Sequence, residues 1–173
     1  TGTPAVPSQR PDSELPRQRF GDVPQNIWFA SGVQFATEQG LFTGVSANEF
    51  APYDPMTRAM LVTVLYRLEG EPTVTGRSSF TDVRSGAYYE KAVIWAAANG
   101  IVTGTDSTSF SPDAKVTREQ LAAILYRYAQ YKKLDTDAGA KLDSFSDAGN
   151  VSGYASEALS WAVSEGLING ASG

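Results

Sequence analysis

The chain contains no cysteine and no histidine. Two of the side chains that carry most chemistry near neutral pH are therefore missing. There is no imidazole general base, no Ser–His or Cys–His nucleophile pair, and no zinc site built from thiolate or imidazole. No disulfide can form, which fits a secreted bacterial protein as well as a cytosolic one. No run of about 18 apolar residues occurs, so no segment is expected to insert into a membrane. No leader is visible at Thr1, and an exported protein with this sequence is expected to be a mature piece. Basic residues are outnumbered, 14 Lys and Arg against 19 Asp and Glu. At a net charge of -5 no global positive field draws in nucleic acid or an anionic bilayer. Nothing in the composition calls for a cofactor or a metal ion. What is present is a 42% hydrophobic fraction over 173 residues, enough to bury a core in one domain or a short array.

The positive signal is repetition. Phe20-Gly21-Asp22-Val23 returns as Phe80-Thr81-Asp82-Val83 and starts again as Phe145-Ser146-Asp147-Ala148. Between the first two copies the landmarks shift by 60 positions: Gly40 to Gly100, Gly44 to Gly104, Phe50 to Phe110, Pro52 to Pro112, Thr57-Arg58 to Thr117-Arg118. The third copy shifts by 65 at Phe145 and by 66 at Gly166 and Gly170. Each unit is a supersecondary piece whose apolar face is buried by its neighbours, so a functional site is expected to repeat or to lie between units. The organisation that follows is a proline-rich linker over 1–19 (Pro4, Pro7, Pro11, Pro16), repeats over 20–79 and 80–144, and an incomplete third repeat over 145–173.

Within each repeat a short Phe-x-Asp loop leads to an aromatic residue, Trp28, Tyr88 or Tyr154, and then to a helix. Gly40, Gly100 and Gly166 are expected to stop these helices in the left-handed conformation. The apolar pair inside Gly-Leu-Phe-Thr-Gly and its counterparts is expected to turn into the core. Phe50-Ala51-Pro52 and Phe110-Ser111-Pro112 read as short extended pieces. A second helix starts after Thr57 or Thr117, both suited to cap it, and Thr117 with Gln120 has the pattern of a capping box. Leu61, Val64, Leu65 and Leu68 form a helical stripe, as do Leu121, Ile124, Leu125 and Tyr128. The fold class expected is all-α, helical repeats with short extended loop pieces.

Arg58 and Arg118 each follow a helix cap, where the positive end of the helix disfavours a cation by up to about 1 kcal/mol. The same choice made twice asks for compensation. An anion at the helix start, gripped by the guanidinium fork, supplies it. An ion pair with Asp22, Asp82 or Asp54 is the structural alternative. Trp28, Tyr88 and Tyr154 could stack on a sugar face or serve as a lid over the core. Phe35, Trp95 and Trp161 sit mid-helix on the apolar stripe and are expected in the core. Asp22, Asp82 and Asp147 are suited to satisfy loop N–H groups, or else a ligand hydroxyl. Gly44, Gly104 and Gly170 could turn the chain or let the backbone approach a ligand closely.

Over about residues 20–170 the pattern resembles S-layer homology repeats. The opening Phe-x-Asp-Val, the Gly-Ile/Leu-x-x-Gly that ends the helix, Phe-x-Pro and the Thr-Arg opening the next helix all match. Where the family usually closes the last motif with an acid, as Thr-Arg-Ala-Glu, this chain has Thr57-Arg58-Ala59-Met60 and Thr117-Arg118-Glu119-Gln120. The resemblance implies a pseudo-threefold spindle with one helix per repeat in a central bundle. It also implies a non-catalytic module that anchors exported proteins at the bacterial cell surface, in the wall or S-layer. The partner it implies is a secondary cell-wall polysaccharide, its terminal sugar often carrying an anionic pyruvate ketal, bound in grooves between repeats. The ligand-binding set then comprises Arg58, Arg118, Trp28, Tyr88, Tyr154, Asp22, Asp82, Gly44, Gly104 and Gly170. Replacing either arginine by Ala is expected to weaken binding without unfolding the chain. The competing reading is a protein–protein or self-assembly module. On either reading the helix over Ala158–Val163 is expected to lack a partner within its own repeat, so that the chain either forms a homodimer through the incomplete third repeat or is less stable than a form extended by a full one. An enzyme is not expected, because no unrepeated acidic pair stands out.

Overall fold

The structure is a computed structural model, and it describes residues 20–137, 139 and 141–170. The linker expected over 1–19 lies outside the described residues. The secondary structure is helical: α1 (Ala30–Glu38), α2 (Arg58–Leu68), α3 (Glu90–Ala98), α4 (Arg118–Tyr131) and α5 (Ser156–Ser164), with 3-10 turns at Leu142–Ser144 and Ala148–Asn150. No strand occurs among the described residues; a single bridge joins Thr57 to Lys115. The all-α expectation therefore holds. No helix among the described residues is long and apolar enough to cross a membrane.

The chain divides into two compact units, one ending at Tyr53 and the other starting at Asp54. In the first, Phe20 packs on Phe50 at 5.3 Å between ring centres, and Phe42 on Phe50 at 5.9 Å. α1 buries none of its residues. Phe35, expected in the core, is 61% exposed. The stripe is present in the sequence, but the described residues of this unit contain no second helix to cover it.

In the second unit α2 packs on α3, and α4 packs on α5. Each mid-helix tryptophan thus meets the second helix of the preceding repeat. Trp95 lies 5.7 Å from Tyr66 of α2, and Trp161 lies 5.6 Å from Tyr126 of α4. Both are buried, at 4% and 6% exposed. The stripe on α2 is shifted from the expected one: Leu61, Val62, Leu65 and Tyr66 are buried, while Leu68 is 52% exposed. On α4 the buried positions facing α5 are small, Ala122, Ala123 and Ala129, which lets Ala158, Trp161 and Ala162 seat closely. This corrects the expectation of an unpartnered Ala158–Val163 helix. The second repeat covers its Ala158, Trp161 and Ala162 face, while Leu159 and Val163 border an open cavity.

The local signals act as expected at most helix ends. Gly40, Gly100 and Gly166 take φ of 69°, 70° and 68°, where a side chain is disfavoured. Thr57 and Thr117 cap α2 and α4 by accepting from Met60 N and Gln120 N, each at 3.2 Å. The Phe-x-Pro pieces are not simply extended, because Ala51 and Ser111 have φ of 57° and 58°. The aspartates explain this. Asp22 accepts from the N–H groups of Phe50 (2.9 Å) and Ala51 (2.7 Å). Asp82 accepts from Phe110 (2.8 Å) and Ser111 (2.7 Å). Asp82→Ala strands two N–H groups, one belonging to the fully buried Phe110. It is expected to lower stability by about 1–3 kcal/mol, read from the midpoint of a urea unfolding curve.

Candidate functional site

Arg58 opens α2 yet is only 5% exposed. Its Nε donates to the Phe110 carbonyl at 2.8 Å, and its guanidinium carbon stands 4.8 Å over the Phe110 ring centre. A carbonyl and an aromatic face, not an acid, thus supply the local compensation for a cation at this helix end. The main-chain donors of the same turn are also taken. Arg58 N–H donates to Ala114 O (2.9 Å) and Ala59 N–H to Pro112 O (3.0 Å), while Thr57 serves Met60. The expectation that the start of α2 offers N–H groups to an anion is corrected here: the loop after Phe110 has consumed them. The Arg58 side chain is also tied to the buried Phe110, so its replacement is expected to cost stability as well as binding. What remains available is the Nη edge, which makes no hydrogen bond among the described residues.

That edge borders a cleft of about 410 Å³ lined by Arg58, Gly104, Gln120, Arg127 and Tyr154, with Thr103, Thr105 and apolar groups. Three repeats contribute to it, and no carboxylate is among its lining residues. Burial pulls Arg58 below the usual guanidinium value, against the favourable fields of Tyr154 and Asp82, and the like charge of Arg127 adds to the effect. Tyr154 is held from behind, its hydroxyl donating to Glu119 Oε2 at 3.3 Å. Burial first, then the Glu119 charge, raises the phenol above its usual value and keeps it a neutral donor. Glu119 also accepts from the Ser152 N–H (2.8 Å) and hydroxyl (3.0 Å), so it pins the third repeat's loop onto α4.

Arg118 sits differently. It is exposed, and its Nη1 donates to the Asn169 carbonyl at 2.7 Å. Its own N–H and that of Glu119 meet no acceptor among the described residues. Beside it lies a cavity of about 730 Å³ with Phe145, Leu159, Ile168 and Gly170 in its walls. The counterparts of the first three, Phe80, Val93 and Val102, share a core with Phe110. The cavity therefore corresponds to the space that Phe110 fills one repeat earlier.

The other expected site residues distribute unevenly. Gly104 lines the Arg58 cleft and Gly170 the Arg118 cavity. Both also make room for a ring: a Cβ on Gly104 would come 2.7 Å from Phe80 Cε1, and one on Gly170 2.7 Å from Phe145 Cε1. Gly44 meets Phe20 in the same way. Asp22 and Asp82 spend their oxygens on the backbone, and the Phe50 N–H holds Asp22 below the usual carboxylate value. Trp28 is 88% exposed, in edge contact with Phe29 at 5.4 Å. Tyr88 is not part of the Arg58 cleft; it is exposed, in edge contact with Tyr89 at 5.1 Å. Gln120, Arg127 and Glu119 complete the site and were not among the expected residues. One signal for Arg127 was present, since it repeats Arg67 at the shift of 60.

Two glutamates make the assembly acid-sensitive. The hydrogen bond from Tyr128 (2.5 Å), with Lys132 at 2.9 Å, lowers Glu69, and the Ser152 N–H lowers Glu119. Both carboxyls titrate lower folded than unfolded. Their contribution is complete above the ordinary value of 4.5 and lost as pH falls through the depressed folded values. The melting temperature is expected to drop on acidification below that value, and less steeply in a Glu69→Gln, Glu119→Gln double variant.

A family model described as the S-layer homology domain matches residues 19–59, 79–122 and 144–173. Among curated proteins, an endoglucanase of Bacillus sp. (strain KSM-635) is 31% identical over 87% of the chain and 16% of its own length. The surface-layer 125 kDa protein of Lysinibacillus sphaericus is 32% identical over 72% of the chain and 10% of its own length. A cellulosome-anchoring protein of Acetivibrio thermocellus is 27% identical over 62% of the chain and 25% of its own length. The chain thus spans a quarter or less of each of these relatives.

Proposed function

Because the chain belongs to the S-layer homology domain family, we propose that it is a non-catalytic module that holds a protein at the bacterial cell surface by binding an anionic wall polysaccharide. The observation that carries this reading is the Arg58 cleft. Among the described residues, a guanidinium edge without a hydrogen-bond partner faces an opening whose lining holds no carboxylate, beside a tyrosine and Gly104. A planar fork of this kind suits a carboxylate, and a pyruvate ketal on a terminal sugar carries one. Arg118, with open N–H groups at the start of α4, is the second arginine that contacts the polymer. Gly104 and Gly170 shape the loops around these contacts, Asp22, Asp82 and Gly44 order the equivalent loops of their own repeats, and Trp28, Tyr88 and Tyr154 offer exposed ring faces to the sugars.

The relatives agree with an anchoring role. They include a surface-layer protein and a cellulosome-anchoring protein, and the endoglucanase shares only a small part of its length with this chain. The pseudo-threefold spindle belongs to the same reading. The core that residues of α2 and α4 share supports the two helices as staves of a central bundle.

Co-sedimentation with isolated wall sacculi tests the proposal. The chain is expected to pellet with intact sacculi and to stay in solution with sacculi stripped of their secondary polysaccharide. Equal pelleting with both contradicts it. A protein–protein module without glycan affinity is favoured by one observation, the exposure of Trp28 and Phe35 in the first unit. It predicts no retention by either preparation.

A further inference from the structure

Gln120 and Arg127 line the Arg58 cleft and are not accounted for by the helix they sit on. Gln120 has the sequence of a capping-box partner, but the box is closed on one side only. Thr117 accepts from Gln120 N, while Gln120 Oε1 is closed off from solvent and meets no donor. A buried acceptor left in that state is unfavourable. The terminal amide can turn its oxygen toward the cleft it lines, where a bound donor satisfies it. Arg127 makes no ion pair and donates no hydrogen bond among the described residues, although its repeat equivalent Arg67 pairs with Glu71 at 4.0 Å. It faces the same opening as Arg58, and its charge acts against that of Arg58. Two cations around one cleft whose lining holds no carboxylate repel each other until an anion lies between them.

We propose that Arg127 is a further ligand-binding arginine, the partner of Arg58 within its cleft, and that Gln120 is a specificity residue accepting from a hydroxyl or amide N–H next to the anionic group. The ligand class is then narrower than an anion alone. It is a sugar acid whose carboxylate is spanned by Arg58 and Arg127 and whose adjoining donor reaches Gln120. A simple carboxylate without that donor lacks the last contact. This inference rests on the anionic-polysaccharide reading above.

The test is calorimetric titration of the full chain with purified wall polysaccharide, its carboxylates intact or reduced to alcohols. Arg127→Gln is expected to weaken binding of the intact polymer about tenfold or more, since a charge-assisted contact is lost. It should not lower the melting temperature, because a like-charge repulsion with Arg58 is relieved, and it should leave the residual affinity for the reduced polymer unchanged. Gln120→Leu, which removes the acceptor but keeps the volume, is expected to weaken binding severalfold without making the chain less stable. Arg127→Lys should recover part of the affinity lost in Arg127→Gln. Full affinity in both Arg127→Gln and Gln120→Leu, with tight binding by the parent chain, overturns this inference and leaves the anchoring reading standing. Failure of the parent chain to prefer intact over reduced polymer overturns the anchoring reading as well.

Discussion

Trp95→Ala is expected to destabilise the chain by about 3–5 kcal/mol, the cost of emptying a large aromatic site in a packed core. Trp95 is 4% exposed and lies between Tyr66 and Tyr131, whose ring centres are 5.7 and 5.8 Å away. Neither ring can collapse into the space without pulling α2 or α4 out of register. Trp28→Ala is the contrast. At 88% exposure its ring leaves no cavity, and stability should change by less than about 0.5 kcal/mol. Urea unfolding of both variants reads the difference. A silent Trp95→Ala would mean that the contact between α2 and α3 does not hold the second unit together.

Arg58→Ala carries the second large effect, and it acts on two quantities. The substitution removes a charge-assisted hydrogen bond to a buried carbonyl, about 1.5–3 kcal/mol, and a cation–π contact, about 0.5–2 kcal/mol. The expected loss of stability is therefore roughly 2–5 kcal/mol. Affinity for the anionic polymer should fall with it, because the same guanidinium presents its Nη edge to the cleft. Arg118→Ala is expected to differ in kind. Its side chain is exposed and, among the described residues, bonds only the Asn169 carbonyl, so stability should change little. Comparable melting temperatures for the two variants would contradict the structural role given to Arg58.

Much of this arrangement was legible in the repeat. The glycines that end the first helices, the threonine caps and the aspartates serving loop N–H groups each act through neighbours close in sequence or at a fixed offset. Local chemistry therefore identifies them. Pairing between repeats was not legible. Trp95, Trp161 and Phe35 occupy equivalent positions, yet the first two meet a helix from the preceding repeat, and Phe35 lies in a unit with no second helix among its described residues. Periodicity reports an apolar face, not what covers it. The same limit applied to the site. Arg58 was expected to work with the start of its own helix, but the N–H groups there are held by Pro112 and Ala114, more than 50 residues later. Tyr154 and Arg127 join Arg58 from two other repeats, a grouping that no spacing within one repeat encodes. Gln120 was recognised as a capping residue; only the structure shows that half of that cap is not made.

The central claim is that the cleft around Arg58 holds the carboxylate of a wall sugar. Amide chemical-shift mapping of the isotope-labelled chain, titrated with carboxylate-bearing oligosaccharides released from wall polysaccharide, tests it most directly. The expected result is a cluster of shifts at Thr103, Gly104, Thr105 and Tyr154, together with the side-chain signals of Arg58 and Arg127. The cluster should vanish when the carboxylates are reduced to alcohols. Shifts confined to residues away from this cleft, or unchanged by the reduction, would contradict the account.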